Sequence, residues 1–308
     1  MALLPIHDDN PTRRRPWVTY ALIAVNVVVF FASPLSPVAL MAPGSSLAQA
    51  CEVEAFLDEW AAVPAEVVEG EPAPAVVTGQ PVQPDGCAVA EPTYEKSPEL
   101  SVLTAMFLHG GIAHLAGNML FLFVFGNNVE DRLGRLRFLL YYLATGYAAT
   151  YAFAIAFADS TENLVGASGA VAGVLGGYLL LFPRARVLSL VTFLLFLPLR
   201  LPAWVVLGSW FLLQYLYASG AGLVADAQVA YLAHVAGFLA GVVLVLPFVP
   251  GTRRAQAEAR ARAYARHGAW GERELGPPYG GGYPAPYAGG DPWGRPAPSR
   301  GRRWTSRW

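Results

Sequence analysis

Five polar side chains lie in or at the edges of long apolar runs: His109, His114, Asn118, Ser168 and His234. A serine hydroxyl is a weak nucleophile until a base takes its proton, and histidine is the usual base. Ser168 and His234 therefore make a candidate dyad for acyl transfer. Asp159 and Asp226 lie in connecting segments or at their edges, with no defined path to His234, so no third acid is expected. The oxyanion of acyl transfer needs hydrogen-bond donors. The Ser168 backbone N–H, near a helix start, is one candidate. His114 and Asn118, spaced i and i+4, share a helix face and can donate from a facing helix.

The elements that must carry these residues are membrane spans. Of 308 residues, 55% are hydrophobic and only 14% charged, whereas soluble domains carry about 25% charged residues. Hydropathy marks apolar segments at about Trp17–Ser33, Val102–Phe125, Leu136–Ala158, Gly166–Phe182, Ala203–Ala218 and Gln228–Val249. A further run, Val187–Leu197, is too short for a span of about 20 residues and reads as an interfacial or re-entrant piece. The expected fold is an all-α membrane protein, a six-helix bundle over residues 17–250. Arginine placement supports it. Arg13, Arg14 and Arg15 precede the first segment, Arg132, Arg135 and Arg137 follow the second, Arg184, Arg186 and Arg200 follow the fourth, and Arg253 and Arg254 follow the sixth. With both termini inside, every arginine falls on the cytoplasmic side, as the positive-inside rule requires. Residues 1–16 are then a cytoplasmic N-terminus, and a bacterial plasma membrane is the expected location.

The first outside loop, about 34–101, is acidic and proline-rich, with Lys96 its one basic residue. It is either disordered or a small cap pinned by Cys51 and Cys87. Ala48-Gln49-Ala50 resembles a signal-peptidase site, but it lies well past the apolar run, so a retained first span is expected. Residues 251–275 read as a charged cytoplasmic helix, and 276–308, rich in Gly, Pro and Arg, as a disordered tail. No internal repeat, phosphate loop or nucleotide fingerprint is present, and no nucleic-acid partner is expected.

Topology also sets depth. Ser168 stands only a few residues inside its segment and His234 about six, roughly 9 Å at 1.5 Å per residue. His109, His114 and Asn118 occupy the first half of theirs. All enter from outside, so the five converge on the outer leaflet. Polar groups there are functional suspects. Gly169, Gly173 and Gly177 recur at intervals of four, as do Gly237 and Gly241. Small residues so spaced let membrane helices approach closely, which would bring Ser168 and His234 together. Asn26, Tyr147 and Gln214 read as helix-packing contacts.

These residues carry a resemblance. Gly166-Ala167-Ser168-Gly169 and Ala233-His234-Val235-Ala236-Gly237 resemble the serine and histidine motifs of the rhomboid family of intramembrane proteases. His109 with His114-Leu115-Ala116-Gly117-Asn118 resembles its HxxxxHxxxN motif, and Glu130-Asp131-Arg132-Leu133-Gly134 its ExRxG turn. The resemblance covers about residues 98–250, with the motifs in order. It implies a six-helix bundle and a Ser168–His234 dyad without metal or cofactor. It also implies an oxyanion role for His114 and Asn118, structural roles for His109 and Glu130, and membrane-protein substrates cut near the outer face. Two positions depart: Leu100 and Ser101 stand where some members have Trp-Arg, and Ala172 where an aromatic often stacks on the histidine. Alternatives are a zinc site on His109, His114 and His234, a non-catalytic escort of membrane proteins, and a transporter. The first leaves the GxSG motif unexplained, the second would not need both Ser168 and His234, and the third expects broken helices at mid-membrane.

Overall fold

The computed structural model describes residues 3–37, 46–82, 86–191, 197–220 and 230–251. The expected charged helix and tail beyond 251, and the position of Asp226, lie outside these residues. In chain order the protein forms β1 (Leu3–Asp8), α1 (Trp17–Ala32), α2 (Ser46–Trp60), α3 (Pro64–Glu69), β2 (Val76–Val82), β3 (Gly86–Ala90) and α4 (Pro98–Ala105). Then come α5 (Ile112–Phe121), a π-helical turn (Leu122–Gly126), α6 (Asn127–Leu133), α7 (Arg135–Ala156), α8 (Ser168–Leu181), β4 (Arg186–Val191), β5 (Leu197–Pro202), α9 (Ala203–Ala218) and α10 (Tyr231–Val245).

Among the described residues, three helices are long and apolar enough to cross a membrane: Ile112–Leu133, Arg135–Ala156 and Tyr231–Gly251. Trp17–Ala32, Ser168–Leu181 and Ala203–Ala218 are apolar but shorter. The second segment begins later than hydropathy suggests. After α4 the chain turns through residues 106–111, and the helix restarts at Ile112 behind Gly110 and Gly111. Hydropathy averages over such a break, because the residues on both sides of it are apolar.

The all-α expectation needs correction, since the protein carries two small sheets. In one, β1 and β5 flank β4, all antiparallel. The first part of the run expected as an interfacial or re-entrant piece, Val187–Val191, is thus strand, and residues 192–196 lie outside the described residues. Its burial alternates, with Val187, Ser189 and Val191 inward, a period of two that favours strand. Pro198 and Pro202 fall on β5, an edge strand where missing N–H groups are tolerated. In the other sheet, β2 and β3 form a hairpin against α2, and a disulfide joins Cys51 to Cys87. Of the two readings of the acidic loop, residues 46–82 and 86–97 take the ordered one, a small cap.

Close approach of α7, α8 and α10 organises the bundle. A Cβ on Gly237 would overlap the Gly169 carbonyl oxygen, and one on Gly241 that of Gly173. The partners rise together, so α8 and α10 run parallel. The stripe expected to face α10 works differently. A Cβ on Gly169, Gly173 or Gly177 would run into Ala149, Thr145 or Tyr141 of α7, whereas Gly176 abuts the Phe238 carbonyl. Glycine on α8 therefore admits two neighbours at once. The Tyr141 hydroxyl lies 2.6 Å from Gly173 O and 3.0 Å from Gly241 O, donating at the crossing.

The end of the bundle remote from Ser168 is held by polar ties. Glu130, 2% exposed, accepts from Val18 N–H (3.1 Å), Thr19 N–H (2.7 Å) and the Thr19 hydroxyl (2.8 Å). It thereby satisfies donors that the first turn of α1 leaves without intrahelical partners. Asp131 accepts from Arg14 N–H at 2.9 Å, and Arg132 donates to Phe248 O at 2.9 Å. Gly134, at φ +84, makes the turn into α7. Asp8 of β1 accepts from Asn128 (2.8 Å) and from the Tyr178 hydroxyl (2.6 Å). Burial raises the Asp8 pKa, against the opposing effect of the Tyr178 hydrogen bond.

Candidate active site

Ser168 is the first residue of α8, following Gly166 and the buried Ala167. Gly166 has φ +127, a conformation that favours glycine. A Cβ there would lie 2.9 Å from His114 Nε2 and 3.6 Å from Ser168 Oγ. Without a Cβ at Gly166, the His114 imidazole packs directly on the glycine, near the Ser168 hydroxyl. Gly166 N–H donates to Ala105 O at 2.9 Å, which anchors the loop to the end of α4.

His114 and Asn118 stand one turn apart on α5, as expected. Asn118 is 7% exposed, and its amide donates to His114 O at 3.1 Å, along its own helix. His109 does not share that helix. It sits in the turn before α5, fully buried, its ring edge-on to His114 at 5.1 Å between centroids. Among the described residues no group of three His, Cys, Asp or Glu side chains could hold a metal ion.

His234 lies one turn before Gly237, on the stretch of α10 where Gly237 abuts Gly169. Its Nδ1 is 2.7 Å from Gln214 Oε1 of α9. With a carbonyl oxygen as partner, Nδ1 carries the proton and Nε2 keeps its lone pair. Trp210 of α9 lies 6.0 Å from the His234 ring at 36°, and Tyr231 6.4 Å away, edge-on. These groups orient the histidine where Ala172 cannot. Gln214 thus does more than pack, and Trp210 went unnoticed in sequence. The available signal was a polar residue, Gln214, one turn after a tryptophan in an apolar helix. No hydrogen bond joins Ser168 to His234 among the described residues. Apo catalytic pairs often tighten only when substrate binds.

A family model, the Rhomboid domain, matches residues 98–251. The chain belongs to the rhomboid family. Its rhomboid domain begins at α4 and takes in every residue of the site. Over 78 residues it is 47% identical to Rhomboid protease GluP of Bacillus subtilis (strain 168), covering 25% of this chain and 15% of that protein. Over 78 residues it is 40% identical to RHOMBOID-like protein 6, mitochondrial, of Arabidopsis thaliana, covering 25% of each. A longer match, 29% identical over 150 residues, is to Rhomboid protein 1, mitochondrial, of Saccharomyces cerevisiae (strain ATCC 204508 / S288c), covering 47% of this chain and 40% of that protein. The chain thus spans well under half the length of these relatives. The rhomboid matches and the apolar helices make this a multi-pass membrane protein.

Proposed function

We propose that this rhomboid protein is an intramembrane serine endopeptidase that cuts transmembrane segments of other membrane proteins. The observation that carries the reading is the meeting of Ser168 and His114 at Gly166, where the absent side chain lets the imidazole come close to the serine hydroxyl. In this reading His234 Nε2 takes the Ser168 proton as the hydroxyl attacks the scissile carbonyl, and Gln214 holds the tautomer that leaves Nε2 free. The oxyanion forms beside His114, with the Ser168 backbone N–H and the Asn118 amide as further donors. Asn118 would have to turn from His114 O, an exchange of one acceptor for another. His234 then protonates the leaving amine, and water releases the acyl chain.

The six-span arrangement, with both termini inside and the serine end outside, belongs to the same proposal. Three shorter apolar helices complete it beside the three long ones. At 14 residues, α8 covers about 21 Å of a hydrocarbon core about 30 Å thick. Its far end is tied to β1 through Tyr178 and Asp8, so the shortfall falls at Ser168 and recesses the nucleophile below the surface. A bacterial plasma membrane would suit the arginine distribution.

A serine-directed phosphonate probe should label the wild-type protein in detergent and should fail on Ser168→Ala and His234→Ala. Labelling and cleavage of model transmembrane substrates should survive a strong chelator. An adduct persisting in Ser168→Ala would place the nucleophile elsewhere. A folded wild type that neither labels nor cleaves would favour the non-catalytic escort.

A further inference from the structure

The cap is joined to the loop that delivers Ser168. Ala62 and Leu164 form an antiparallel bridge, with Leu164 N–H donating to Ala62 O at 2.8 Å and Ala62 N–H to Leu164 O at 3.3 Å. Ala65 N–H donates to Ser160 O at 3.1 Å. The Thr104 hydroxyl donates to Trp60 O at 2.6 Å, which ties α4 to the same corner of the cap. Two residues after Leu164 comes Gly166, on which the His114 imidazole packs beside Ser168. Gly166 is thus held from both sides, through Leu164 by the cap and through Ala105 by α4.

The cap in turn is held rigid by groups that the proposed chemistry does not use. Lys96 meets Glu66 at 2.7 Å, with side chains 3% and 6% exposed. Lys96 Nζ also donates to Asp58 O at 2.6 Å, and Glu66 accepts from Ala73 N–H at 2.9 Å. Asp58 accepts from Val77 N–H at 2.9 Å, tying α2 to β2. The disulfide ties α2 to β3. Losing one partner of a buried ion pair leaves an uncompensated charge, so Lys96 and Glu66 depend strongly on each other. Both span the segment that presents Ala62 and Ala65.

We propose that the cap is a positioning device for the active site: the Lys96–Glu66 pair and the Cys51–Cys87 disulfide hold Ala62–Ala65 in place, and this edge sets the Leu164–Gly166 register that seats His114 against Gly166 beside Ser168. The inference rests on the protease reading. Lys96 is a positioning residue, acting through Leu164 and touching no reacting atom. Because the disulfide belongs to the device, activity follows the redox state of the cap.

The test uses the full chain in detergent, with a model transmembrane substrate and the phosphonate probe. Misplacement of about 1 Å can cost roughly 100-fold in rate. Lys96→Met should therefore lower kcat and the labelling rate about tenfold or more, with KM within about twofold, since no substrate contact is lost. Reduction of the wild type to two free thiols should lower kcat in the same way, and reoxidation should restore it. The second arm needs no variant, so it decides the matter if Lys96→Met does not fold. Amide exchange at Leu164 and Gly166 should quicken in both cases. Unchanged kcat in fully reduced wild type, or in folded Lys96→Met, overturns the proposal. A loss of rate that appears only in KM also overturns it, because that would make the cap a substrate-binding surface. A wild type that neither labels nor cleaves overturns the protease reading, and this inference with it.

Discussion

The two ends of the bundle are built on opposite plans. At the arginine-rich end, Glu130 accepts three hydrogen bonds from α1, Asp8 joins Asn128 to Tyr178, and Arg132 closes on Phe248 O. Side chains there are spent on one another. At the serine end, Ser168 Oγ has no hydrogen-bond partner among the described residues, His114 is exposed, and an added Cβ at Gly166 would collide with the His114 ring. Side-chain ties are few at that end, so its backbone must be fixed by other contacts. Here the ties are the Ala62–Leu164 bridge, the Gly166–Ala105 hydrogen bond and the glycine contacts between α8 and α10.

Substitutions at the two ends should therefore fail in different ways. The largest effect is expected at the open end. His114→Ala or Asn118→Ala should lower kcat by roughly 100- to 1000-fold, the usual cost of an oxyanion donor, with the unfolding temperature near wild type. Full activity in the double variant would remove both from the mechanism. In the same kinetic panel, Gln214→Ala should cost less, about tenfold, because base catalysis as a whole contributes roughly 100- to 10,000-fold and Trp210 and Tyr231 still restrain the ring. An unaltered rate would reduce Gln214 to a packing residue.

At the tied end, Glu130→Ala should act on stability. It leaves Val18 N–H, Thr19 N–H and the Thr19 hydroxyl without their acceptor, at about 1–3 kcal/mol for each buried group left unmet. Thermal unfolding should shift down, while the labelling rate per folded molecule stays within a few-fold. A wild-type unfolding temperature with lost labelling would reverse the contrast and link Glu130 to the chemistry. The smallest perturbation is a single added cysteine. Placed near Asp159 it should react with an impermeant reagent applied from outside, and placed near Gly134 or Arg184 it should not. The opposite pattern would invert the bundle.

Much of this was legible in the sequence because it depends on residue type and local spacing. GxSG, HxxxxHxxxN, the Ala233–Gly237 motif and ExRxG singled out Ser168, His114, Asn118, His234 and Glu130 as candidates before any fold was known, and arginine placement separated the two ends. Apolar runs marked the helices, because lipid requires backbone groups to be satisfied within each segment. Local spacing cannot report contacts made across the fold. It put His109 on a helix that in fact begins three residues later, and it read by length a run whose first residues, Val187–Val191, pair with β1 as strand with alternating burial. It assigned the α8 glycines to α10 although they also admit α7. It left Gln214 as packing, because a glutamine in an apolar helix gains meaning only when a second helix brings a histidine to 2.7 Å. The cap shows the same limit. Two cysteines in an acidic loop suggested a disulfide, but only folding puts Ala62 against Leu164, more than a hundred residues on, because that contact is a backbone bridge with no sequence preference of its own.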